Sequence, residues 1–340
     1  MLGFSIIIVT WNGLHHLKRF LPSVVETNYP DFEIILADNN SSDESISWVK
    51  EYFPTVKIAA LDDNYGYCGG NNRAFQIAEK EIVLFLNNDV EVPSDWLHGI
   101  NQLFSEKEQC GAVQPKLLAY DRKTQFEYAG AAGGFLDILG YPLCRGRILD
   151  SSEEDHGQYD TSIPIFWASG AAFAIRASIF KTLNGFDEHF EFHMEEIDVC
   201  WRTQALGYDI WYTPESEVYH LGGGSLAMGS PRKVYYNFRN NLFMLWKNLP
   251  LNQLVWKFPV RFFLDTVAAW RSLLAGRPVE FWSILKAHLH FIRNIGYIQK
   301  QRSATKRTSH PKGVIPKSMV WNYMVRKQRT FDQLTEHGTV

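Results

Sequence analysis

The chain has 340 residues, of which 46% are hydrophobic and 21% charged, a composition that indicates a folded globular protein with one large or two modest cores. Its net charge of −3 is unevenly divided: residues 1–250 carry 19 Lys and Arg against 33 Asp and Glu (−14), and residues 251–340 carry 15 against 4 (+11). The basic end is rich in Trp, Phe and Leu, which predicts contact with an anionic membrane surface or with nucleic acid.

Two features of the sequence bear on where the protein works. The apolar run from Phe4 to Thr10 is too short for a signal peptide and continues into polar residues, so secretion is not expected. The four cysteines are widely spaced and have neither CxxC nor Cys/His zinc spacing, which predicts reduced thiols in the cytosol. No uncharged run in residues 251–340 reaches the roughly 18–20 residues of a spanning helix.

Taken in order, the first ninety residues alternate between apolar runs and helical patterns. Unbroken apolar runs without polar alternation suit strands that are buried on both faces of a parallel sheet. The predicted strands are Phe4–Thr10, Phe32–Ala37, Val56–Leu61 and Val83–Leu86. The predicted helices are Leu14–Glu26, Glu44–Tyr52 and Arg73–Lys80. This pattern predicts a doubly wound α/β sheet.

Each of these strands ends at a loop rich in Asp and Asn, and right-handed crossovers would bring the loops to one edge of the sheet. After the fourth strand come Asn87, Asn88 and Asp89, which offer the oxygen ligands that Mg²⁺ or Mn²⁺ accepts, and such a metal can carry a diphosphate. A turn that caps the helix near Pro93 explains the same residues equally well. The glycines at 66–70 permit tight turns and match neither GxGxxG nor a Walker motif.

Eight segments, in one order, resemble family 2 glycosyltransferases of the GT-A fold over roughly residues 3–245, and within that family the bacterial rhamnosyltransferase-like members. The nucleotide-sugar half is matched by SIIIVTWN (5–12), ADNNSSD (37–43), NYGYCGGNN (64–72) and LNNDV (86–90). The acceptor half is matched by FWASGAAFAIR (166–176), NGFDE (184–188), EEIDVCWR (195–202) and HLGGGS (220–225). The resemblance implies a Rossmann-like, mixed and mainly parallel sheet with flanking helices.

The resemblance also implies which residues bind the sugar nucleotide and its metal. The nucleotide-sugar residues are Thr10, Trp11, Asn12, Asp38, Asn40, Asn64, Gly66, Asn71, Asn87 and Asn88. The family's DxD metal motif appears here as Asn87-Asn88-Asp89, which leaves Asp89 as the main metal-binding carboxylate. His220 matches a histidine that can complete the site, and imidazole suits Mn²⁺ better than Mg²⁺. A buried histidine bonded to backbone is the structural alternative for His220.

Sugar transfer with inversion needs a base within reach of the acceptor hydroxyl. In the family this base is usually the Asp of a Glu-Asp pair; Glu196 stands at that position, with Glu195 as the second candidate. Adjacent carboxylates raise each other's pKa when partly buried. The alternative is a helix start that favours acids, with Asp198 and Arg202 paired one turn apart. We predict the structural role for Asp198 and the catalytic one for Glu196.

The remaining predictions concern the acceptor and the end of the chain. By the resemblance, the acceptor residues are Trp167, Ser169, Gly170 and Asp187. We predict a glycosyltransferase domain over 1–245, divided at 110/111 into nucleotide-sugar and acceptor halves. A basic amphipathic helical extension follows over 246–301, and a basic, weakly patterned and flexible tail over 302–340.

The sequence therefore predicts an inverting, metal-dependent glycosyltransferase. It would move a sugar from a nucleoside-diphosphate donor, dTDP-rhamnose or a UDP-sugar, to a hydroxyl of a saccharide, here a lipid-linked one, in surface polysaccharide synthesis. Mn²⁺ or Mg²⁺ is the expected cofactor, and the expected location is cytoplasmic, at the inner face of the cell membrane, without nucleic acid. A metal-dependent nucleotidyltransferase, and a carbohydrate- or nucleic-acid-binding protein with a decayed active site, are the alternatives.

Overall fold

The computed structural model describes residues 1–222, 230–308 and 310–335. The end of the predicted HLGGGS motif and the last five residues of the predicted tail lie outside the described residues.

The fold alternates strands and helices over its first half and is mainly helical after Ser230. The strands are β1 (Phe4–Thr10), β2 (Phe32–Asp38), β3 (Lys57–Ala60), β4 (Ile82–Asn87), β5 (Val90–Glu91), β6 (Cys110–Ala119), β7 (Arg122–Phe126), β8 (Gly134–Asp137), β9 (Pro142–Cys144), β10 (Arg147–Ile148), β11 (Ser151–Ser152), β12 (Ile163–Ile165), β13 (Ala172–Arg176), β14 (Asp209–His220) and β15 (Val314–Ile315). The α-helices are α1 (Leu14–Val25), α2 (Ser45–Tyr52), α3 (Gly66–Ala74), α4 (Leu97–Glu106), α5 (Ala177–Thr182), α6 (Glu195–Ala205), α7 (Pro231–Asn248), α8 (Leu251–Leu274), α9 (Pro278–Arg293), α10 (Ile295–Ala304), α11 (Met319–Met324) and α12 (Phe331–Thr335).

The main sheet runs in the order β12-β14-β6-β13-β4-β1-β2-β3, with β5 added to β14 and β7 added to β6. Strands β4, β1, β2 and β3 are mutually parallel, whereas β13 is antiparallel to both β4 and β6. The four predicted strands are therefore confirmed, as is a mixed sheet whose nucleotide half is parallel.

Both faces of this sheet are buried, which explains the unbroken apolar runs. On β1, Ile7 packs into one hydrophobic cluster and its neighbours Ile6 and Ile8 into another. Strand β4 behaves in the same way, with Phe85 on one side and Leu84 on the other. Since successive side chains point to opposite faces of a strand, a strand covered on both sides needs an apolar residue at every position.

The glycine-rich segment is more helical than the sequence predicted. Helix α3 begins at Gly66, where we expected a loop as far as residue 72. Its glycines serve close packing: a Cβ on Gly70 would lie 3.0 Å from the Cγ1 of Val9, and one on Gly69 would lie 2.7 Å from the Cβ of Tyr65. The absence of side chains lets this helix approach strand β1 closely.

The segment predicted as a flexible tail is folded over residues 310–335. Strand β15 pairs with β8 at the edge of a second, five-stranded sheet, and Met319, Phe331 and Leu334 are buried. Phe331 packs its ring against Phe135, with ring centroids 4.8 Å apart. The prediction failed because these few apolar anchors are separated by basic residues, which hides the pattern.

Helices α8, α9 and most of α10 lie in residues 246–301, the predicted helical extension, whereas α7 begins at Pro231, within the predicted acceptor half. Helices α8 and α9 make an antiparallel hairpin, in which Phe258 lies beside Phe291 and Trp270 beside Phe281. Among the described helices, none combines the length and the hydropathy that crossing a membrane requires.

Candidate active site

Three parallel strands end at the same level and bring the predicted nucleotide residues together. In the register of the sheet Thr10 lies beside Asp38, and Val9 lies beside Asn87. The Asn88 Nδ2 donates a hydrogen bond to the Thr10 Oγ1, at 3.1 Å. The carboxyl edge of the sheet therefore carries one continuous row of polar groups, as expected for a ligand site in an open α/β sheet.

At the β2 end of this row, two buried oxygens are available for a ligand. The Asp38 Oδ2 accepts a hydrogen bond from the Ser41 amide at 2.9 Å, but its Oδ1 has no partner among the described residues. The Oδ1 of Asn39 likewise has no partner among the described residues, while its Nδ2 donates to the Gly66 carbonyl. Because unpartnered buried acceptors are costly, both oxygens suit the N–H or O–H donors of a nucleoside.

Loop residues around these oxygens shape the edge of the site. The indole of Trp11 is 57% exposed and next to Thr10, so a ring can stack on it. Asn12 and Asn40 have left-handed backbones, with φ of 49° and 58°, and the Asn12 Oδ1 accepts from the Ser42 amide at 2.8 Å. These contacts hold the β1 and β2 loops against each other.

Asn64, Gly66 and Asn71 reach the same edge but serve helix α3. The Asn64 Oδ1 accepts a hydrogen bond from the Gly66 amide at 2.9 Å, and the Asn71 Nδ2 donates to the Tyr67 carbonyl at 3.0 Å. Gly66 has φ of 66°, which favours glycine at that position. The amides of Asn64 and Asn71 are thus engaged in local structure, and a direct contact with the nucleotide stays a prediction for both.

Asp89 and His220 meet as the sequence predicted. Strand β5 pairs Val90 with His220, which brings the Asp89 Oδ1 to 3.1 Å from the His220 Nε2. The Asn87 Nδ2 lies 3.3 Å from the same nitrogen. Asp89 does not cap the following helix, because α4 begins at Leu97 without a side-chain cap. The alternative of a capping turn therefore loses its main support.

The donor set fits a divalent metal with two protein ligands. A carboxylate oxygen and an imidazole nitrogen face each other, and both suit Mn²⁺. The Glu127 Oε1 lies 3.3 Å from the opposite ring nitrogen, Nδ1, so Glu127 orients the ring rather than joining the pair. Within the described residues, no group of three or more His, Cys, Asp or Glu side chains forms a metal site. Phosphate oxygens of the donor and water would supply further ligands.

The charges around His220 favour its protonated form in the absence of a metal. Burial alone would lower its pKa, but the carboxylates of Glu127 and Asp89 raise the pKa of His220 to about 10. The same ion pair outweighs the burial of Asp89, which alone would raise its pKa, and lowers the pKa of that carboxyl. Glu127 was not predicted from the sequence, since nothing in the chain links it to a histidine far along the sequence.

The two predicted acids begin helix α6, as the sequence indicated. Glu195 is buried, Glu196 is partly exposed, and Oε2 of each is buried without a partner among the described residues. Burial raises the pKa of Glu196 to about 7. Burial, together with the neighbouring Glu196 charge, raises the pKa of Glu195 well above its ordinary value. A partly exposed Glu whose pKa lies near neutrality is suited to accept a proton.

The backbone before these acids is strained and is held by helix α7. Glu191, His193 and Met194 have φ of 61°, 67° and 73°, values that are unusual outside glycine. Asn240 donates its amide hydrogens to the carbonyls of Phe190, Phe192 and His193, at 2.7 to 2.8 Å. Such strain persists only where surrounding contacts impose it.

A second α7 residue completes this support. Arg239 donates to the His189 and Phe190 carbonyls at 2.8 Å and pairs with Glu191 at 3.1 Å. The supporting role of Arg239 and Asn240 was not predicted from the sequence. Two adjacent polar residues within an apolar helical pattern could have indicated that they contact another part of the protein. The imidazole of His193 is buried, and burial with nearby Lys233 lowers its pKa to about 4, so it is neutral at pH 7.

Tyr67 relates the surroundings of the two acids to the end of β4. The Tyr67 hydroxyl donates to the Gly170 carbonyl at 2.8 Å, and the next residue, Ala171, accepts from the Asn87 amide at 3.0 Å. Tyr67 also senses the charges of Glu195 and Glu196, which add to the effect of burial in raising its pKa. Tyr67 is therefore near enough to the start of α6 to be affected by its charges, and it is joined through Gly170 and Ala171 to the end of β4.

The predicted acceptor residues are only partly supported. Trp167 is buried, and its indole N–H donates to the Phe135 carbonyl at 3.0 Å; the Ser169 hydroxyl donates to the Ala129 carbonyl. These two side chains support the second sheet and present no free group to an acceptor. Gly170 is partly exposed beside Tyr67 and remains a prediction.

Asp187 has partners of a different kind. Its two oxygens bind the Lys247 ammonium and the Tyr297 hydroxyl, each at 2.8 Å. With both oxygens engaged, the contacts do not support the prediction that Asp187 binds the acceptor. It instead links the short 3₁₀ helix at Glu188–Phe190 to helices α7 and α10.

Asp198 has the structural role that we predicted. It is fully buried, pairs with Arg202 at 2.7 Å and with Lys247 at 2.9 Å, and accepts from Asn248 at 2.8 Å. Burial alone would raise its pKa, but the cations of Arg202 and Lys247 hold the pKa below its ordinary value. Lys247 thus joins Asp198 and Asp187 and fixes α6 against α7.

Replacing Lys247 by Met is expected to lower the free energy of unfolding by about 3 kcal/mol, because it leaves two buried carboxylates short of a cation. Urea unfolding monitored by circular dichroism measures this loss. Lys312→Met is the control, since it removes an exposed ion pair with Asp209 and should have a much smaller effect. Equal losses in both variants would contradict the role given to Lys247.

Comparisons with known proteins identify the family. The model of the family "Glycosyl transferase family 2" matches residues 5–182. The O-antigen biosynthesis protein RfbC of Myxococcus xanthus is 31% identical over 244 residues, which are 68% of this chain but only 18% of that protein. The N-acetylglucosaminyl-diphospho-decaprenol L-rhamnosyltransferase of Mycobacterium tuberculosis is 25% identical over 296 residues, 80% of this chain and 92% of that protein.

Solved structures support the fold. GalNAc-T7 with UDP, GalNAc and Mn²⁺ aligns with a TM-score of 0.62 at 15% identity, covering 99% of this chain and 58% of that one. The mannosyltransferase PcManGT of Pyrobaculum calidifontis with GDP-Man and Mn²⁺ aligns with a TM-score of 0.51 at 14% identity, covering 88% and 79%. With the family model covering more than half of its length, the chain belongs to glycosyl transferase family 2 and is a glycosyltransferase with the GT-A fold.

Proposed function

We propose that this glycosyltransferase transfers a sugar, with inversion, from a nucleoside-diphosphate donor to a hydroxyl of a lipid-linked saccharide, in a metal-dependent reaction at the cytoplasmic face of a membrane. The observation that carries the proposal is the pairing of Asp89 with His220 at the same sheet edge as the unpartnered Asp38 oxygen. A binding protein with a decayed active site would not also need an acid such as Glu196, whose pKa is raised to about 7.

The nucleoside end of the donor would occupy the β1 and β2 loops. Asp38 would accept from the base or the ribose, and the exposed Trp11 would cover a ring. Asp89 and His220 would hold Mn²⁺ or Mg²⁺, which stabilises the charge that develops on the departing diphosphate. Asn87 and Asn88 would fix the loop that carries Asp89, since their amides already contact His220 and Thr10.

Glu196 would act as the base that takes the proton of the acceptor hydroxyl. The residue is partly exposed, and burial of its carboxyl raises the pKa to about 7, so a large fraction is ionised at neutral pH. Glu195 is more deeply buried, and burial together with the neighbouring Glu196 charge raises its pKa well above its ordinary value. The greater exposure of Glu196 supports it over Glu195 as the base.

The donor and acceptor classes rest on similarity. The Mycobacterium tuberculosis relative that this chain nearly spans is named as a rhamnosyltransferase acting on a diphospho-decaprenol carrier. A dTDP-rhamnose donor and a lipid-linked acceptor in surface polysaccharide synthesis follow from that likeness, with a UDP-sugar as the second candidate donor.

Calorimetric titration of the purified protein with UDP and with dTDP, each with and without Mn²⁺, tests the proposal. We expect one of the two nucleotides to bind more tightly, by at least about tenfold, when Mn²⁺ is present. Preference for dTDP would support the rhamnose donor and preference for UDP the alternative. Failure of both nucleotides to bind would contradict the donor classes proposed here.

A further inference from the structure

Helix α8 is amphipathic in the opposite sense to a helix of a water-soluble protein. Its buried positions include the charged residues Lys257, Arg261 and Asp265, whereas most of its exposed positions are apolar. The Arg261 guanidinium stacks 3.5 Å from the centre of the Tyr141 ring and donates to the Leu139 carbonyl at 3.1 Å. The polar face is therefore bound by the protein itself, which leaves the apolar face for another partner.

The exposed apolar residues of α8 follow one stripe along the helix. Val260, Phe263, Val267, Trp270 and Leu274 succeed each other at steps of three or four residues. Phe263 is 66% exposed and Trp270 is 54% exposed. Residues at that spacing lie on one face, so α8 presents a continuous ridge of large apolar side chains.

The stripe continues onto α9. Trp282, Leu285, Leu289 and Ile292 are exposed at the same kind of spacing, and Trp282 is 62% exposed. The rings of Trp270 and Phe281 are 5.4 Å apart, and Phe281 in turn lies 5.3 Å from Trp282, so the stripes meet at the end of the hairpin. We call the exposed apolar positions of α8 and α9 together the hairpin face. Contiguous exposed apolar surface of this kind marks an interaction site.

Basic residues accompany the hairpin face. A groove of about 290 Å³ on α9 is lined by Lys286 and Arg293 together with Trp282, Leu285 and Leu289. Among the described residues from 251 onward the acids are Asp265, Glu280 and Asp332; Asp265 is buried, and Glu280 pairs with Arg277 at 3.1 Å. Residues 251–293, which span α8 and α9, carry six Lys and Arg against two acids, an excess of four positive charges.

We propose that the hairpin face docks on an anionic phospholipid bilayer, with α8 and α9 lying in the plane of the membrane. Apolar and Trp side chains would enter the boundary between headgroups and acyl chains, while Lys286 and Arg293 meet the phosphates. A second copy of this chain fits less well, because a twofold contact would bring two equally basic faces together. This docking rests on the proposed function for its biological role. It adds to that function the surface that brings the enzyme to a lipid-linked acceptor.

The face is physically connected to the candidate active site. Helix α9 packs on α7, and Tyr235 of α7 hydrogen-bonds to His290 in the α9 groove. The same α7 carries Arg239 and Asn240, which hold the loop before Glu195. Docking through α8 and α9 would therefore fix the acceptor half of the site relative to the membrane.

Flotation of the full-length protein with phosphatidylcholine vesicles, with and without phosphatidylglycerol, tests this inference. The wild-type protein should float with the anionic vesicles, and more strongly at low salt. A variant with Phe263→Ser, Trp270→Ser and Trp282→Ser should bind at least about tenfold more weakly. A variant with Lys286→Gln and Arg293→Gln should lose about fivefold per charge on anionic vesicles and little on neutral ones.

The matched control is Tyr52→Ser with Ile77→Ser, which removes two exposed apolar side chains of the nucleotide half and should float like the wild type. Circular dichroism confirms that each variant is folded. The inference is overturned if the wild type does not float, if the triple variant floats equally well, or if light scattering shows a dimer that only the triple variant dissociates. Because flotation needs neither donor nor acceptor, its failure is distinguishable from failure of the proposed sugar transfer.

Discussion

Replacing Glu196 by Gln is expected to lower kcat by about 100- to 10,000-fold, the range that a general base contributes, while donor affinity stays unchanged. Gln keeps the size of the side chain and its hydrogen-bonding capacity, but it cannot accept the proton of the acceptor hydroxyl. Steady-state kinetics of sugar transfer gives kcat, and calorimetry with the preferred nucleotide gives the affinity. A loss confined to kcat would identify Glu196 as the residue that acts in the chemical step.

Glu195→Gln is the matched control, since it changes the neighbouring acid in the same way. Glu195 is buried, and burial together with the neighbouring Glu196 charge raises its pKa well above the ordinary value, which favours the neutral form that a Gln side chain mimics. We therefore expect a much smaller loss of kcat than in Glu196→Gln. The opposite ranking would transfer the role of base to Glu195.

The raised pKa also predicts the pH dependence of the same reaction. A base works in its ionised form, and burial raises the pKa of Glu196 to about 7. Transfer should accordingly be slow at acidic pH, rise as the pH passes through about 7, and level off above it. The profile of kcat against pH measures this, and in Glu196→Gln the residual rate should lack that rise.

The nucleotide half was predictable because its sequence signals are local. A strand covered on both faces needs an apolar run, and the run in β4 stops where the polar edge begins. Parallel pairing then places Thr10, Asp38 and Asn87 side by side without any further information. The pairing of Asp89 with His220 came from the family resemblance, and the structure brings these two residues together.

The acceptor half was harder to predict because its signals are distant in sequence. A Trp residue can serve either in a sugar site or in a hydrophobic core, so the sequence alone does not assign a role to Trp167. The hydrogen bond from its indole to the Phe135 carbonyl indicates the structural role. Asp187 looked functional until Lys247 and Tyr297 appeared as its partners, 60 and 110 residues later. No pattern within one segment reveals such pairs.

The hairpin face was visible in the sequence only as a basic segment rich in aromatic residues. Amphipathic spacing shows that two faces differ, but it does not show which one is turned toward the protein. That orientation follows from the buried Arg261 and Asp265, whose partners Leu139 and His288 belong to other segments.

Replacing Asp89 by Ala is expected to abolish the effect of Mn²⁺ on nucleotide binding and to reduce sugar transfer by at least about 1,000-fold. The variant removes the only carboxylate of the Asp89–His220 pair, and a single imidazole is a poor site for a hard divalent cation. His220 keeps Glu127 as its partner, at 3.3 Å, so the fold should survive. Calorimetry with the preferred nucleotide, with and without Mn²⁺, measures the first effect, and a transfer assay measures the second.

Asp63→Ala is the control for Asp89→Ala, because Asp63 is an exposed carboxylate in the loop after β3 whose Oδ1 accepts from the adjacent Asn64 amide. Removing it lowers the negative charge of the same half of the molecule by the same amount. If bulk electrostatics caused the loss in Asp89→Ala, both variants would lose the response to Mn²⁺. If Asp89 binds the metal, Asp89→Ala will lose the response to Mn²⁺ and Asp63→Ala will keep it. Retention of the response in Asp89→Ala would show that the Asp89–His220 pair holds no metal.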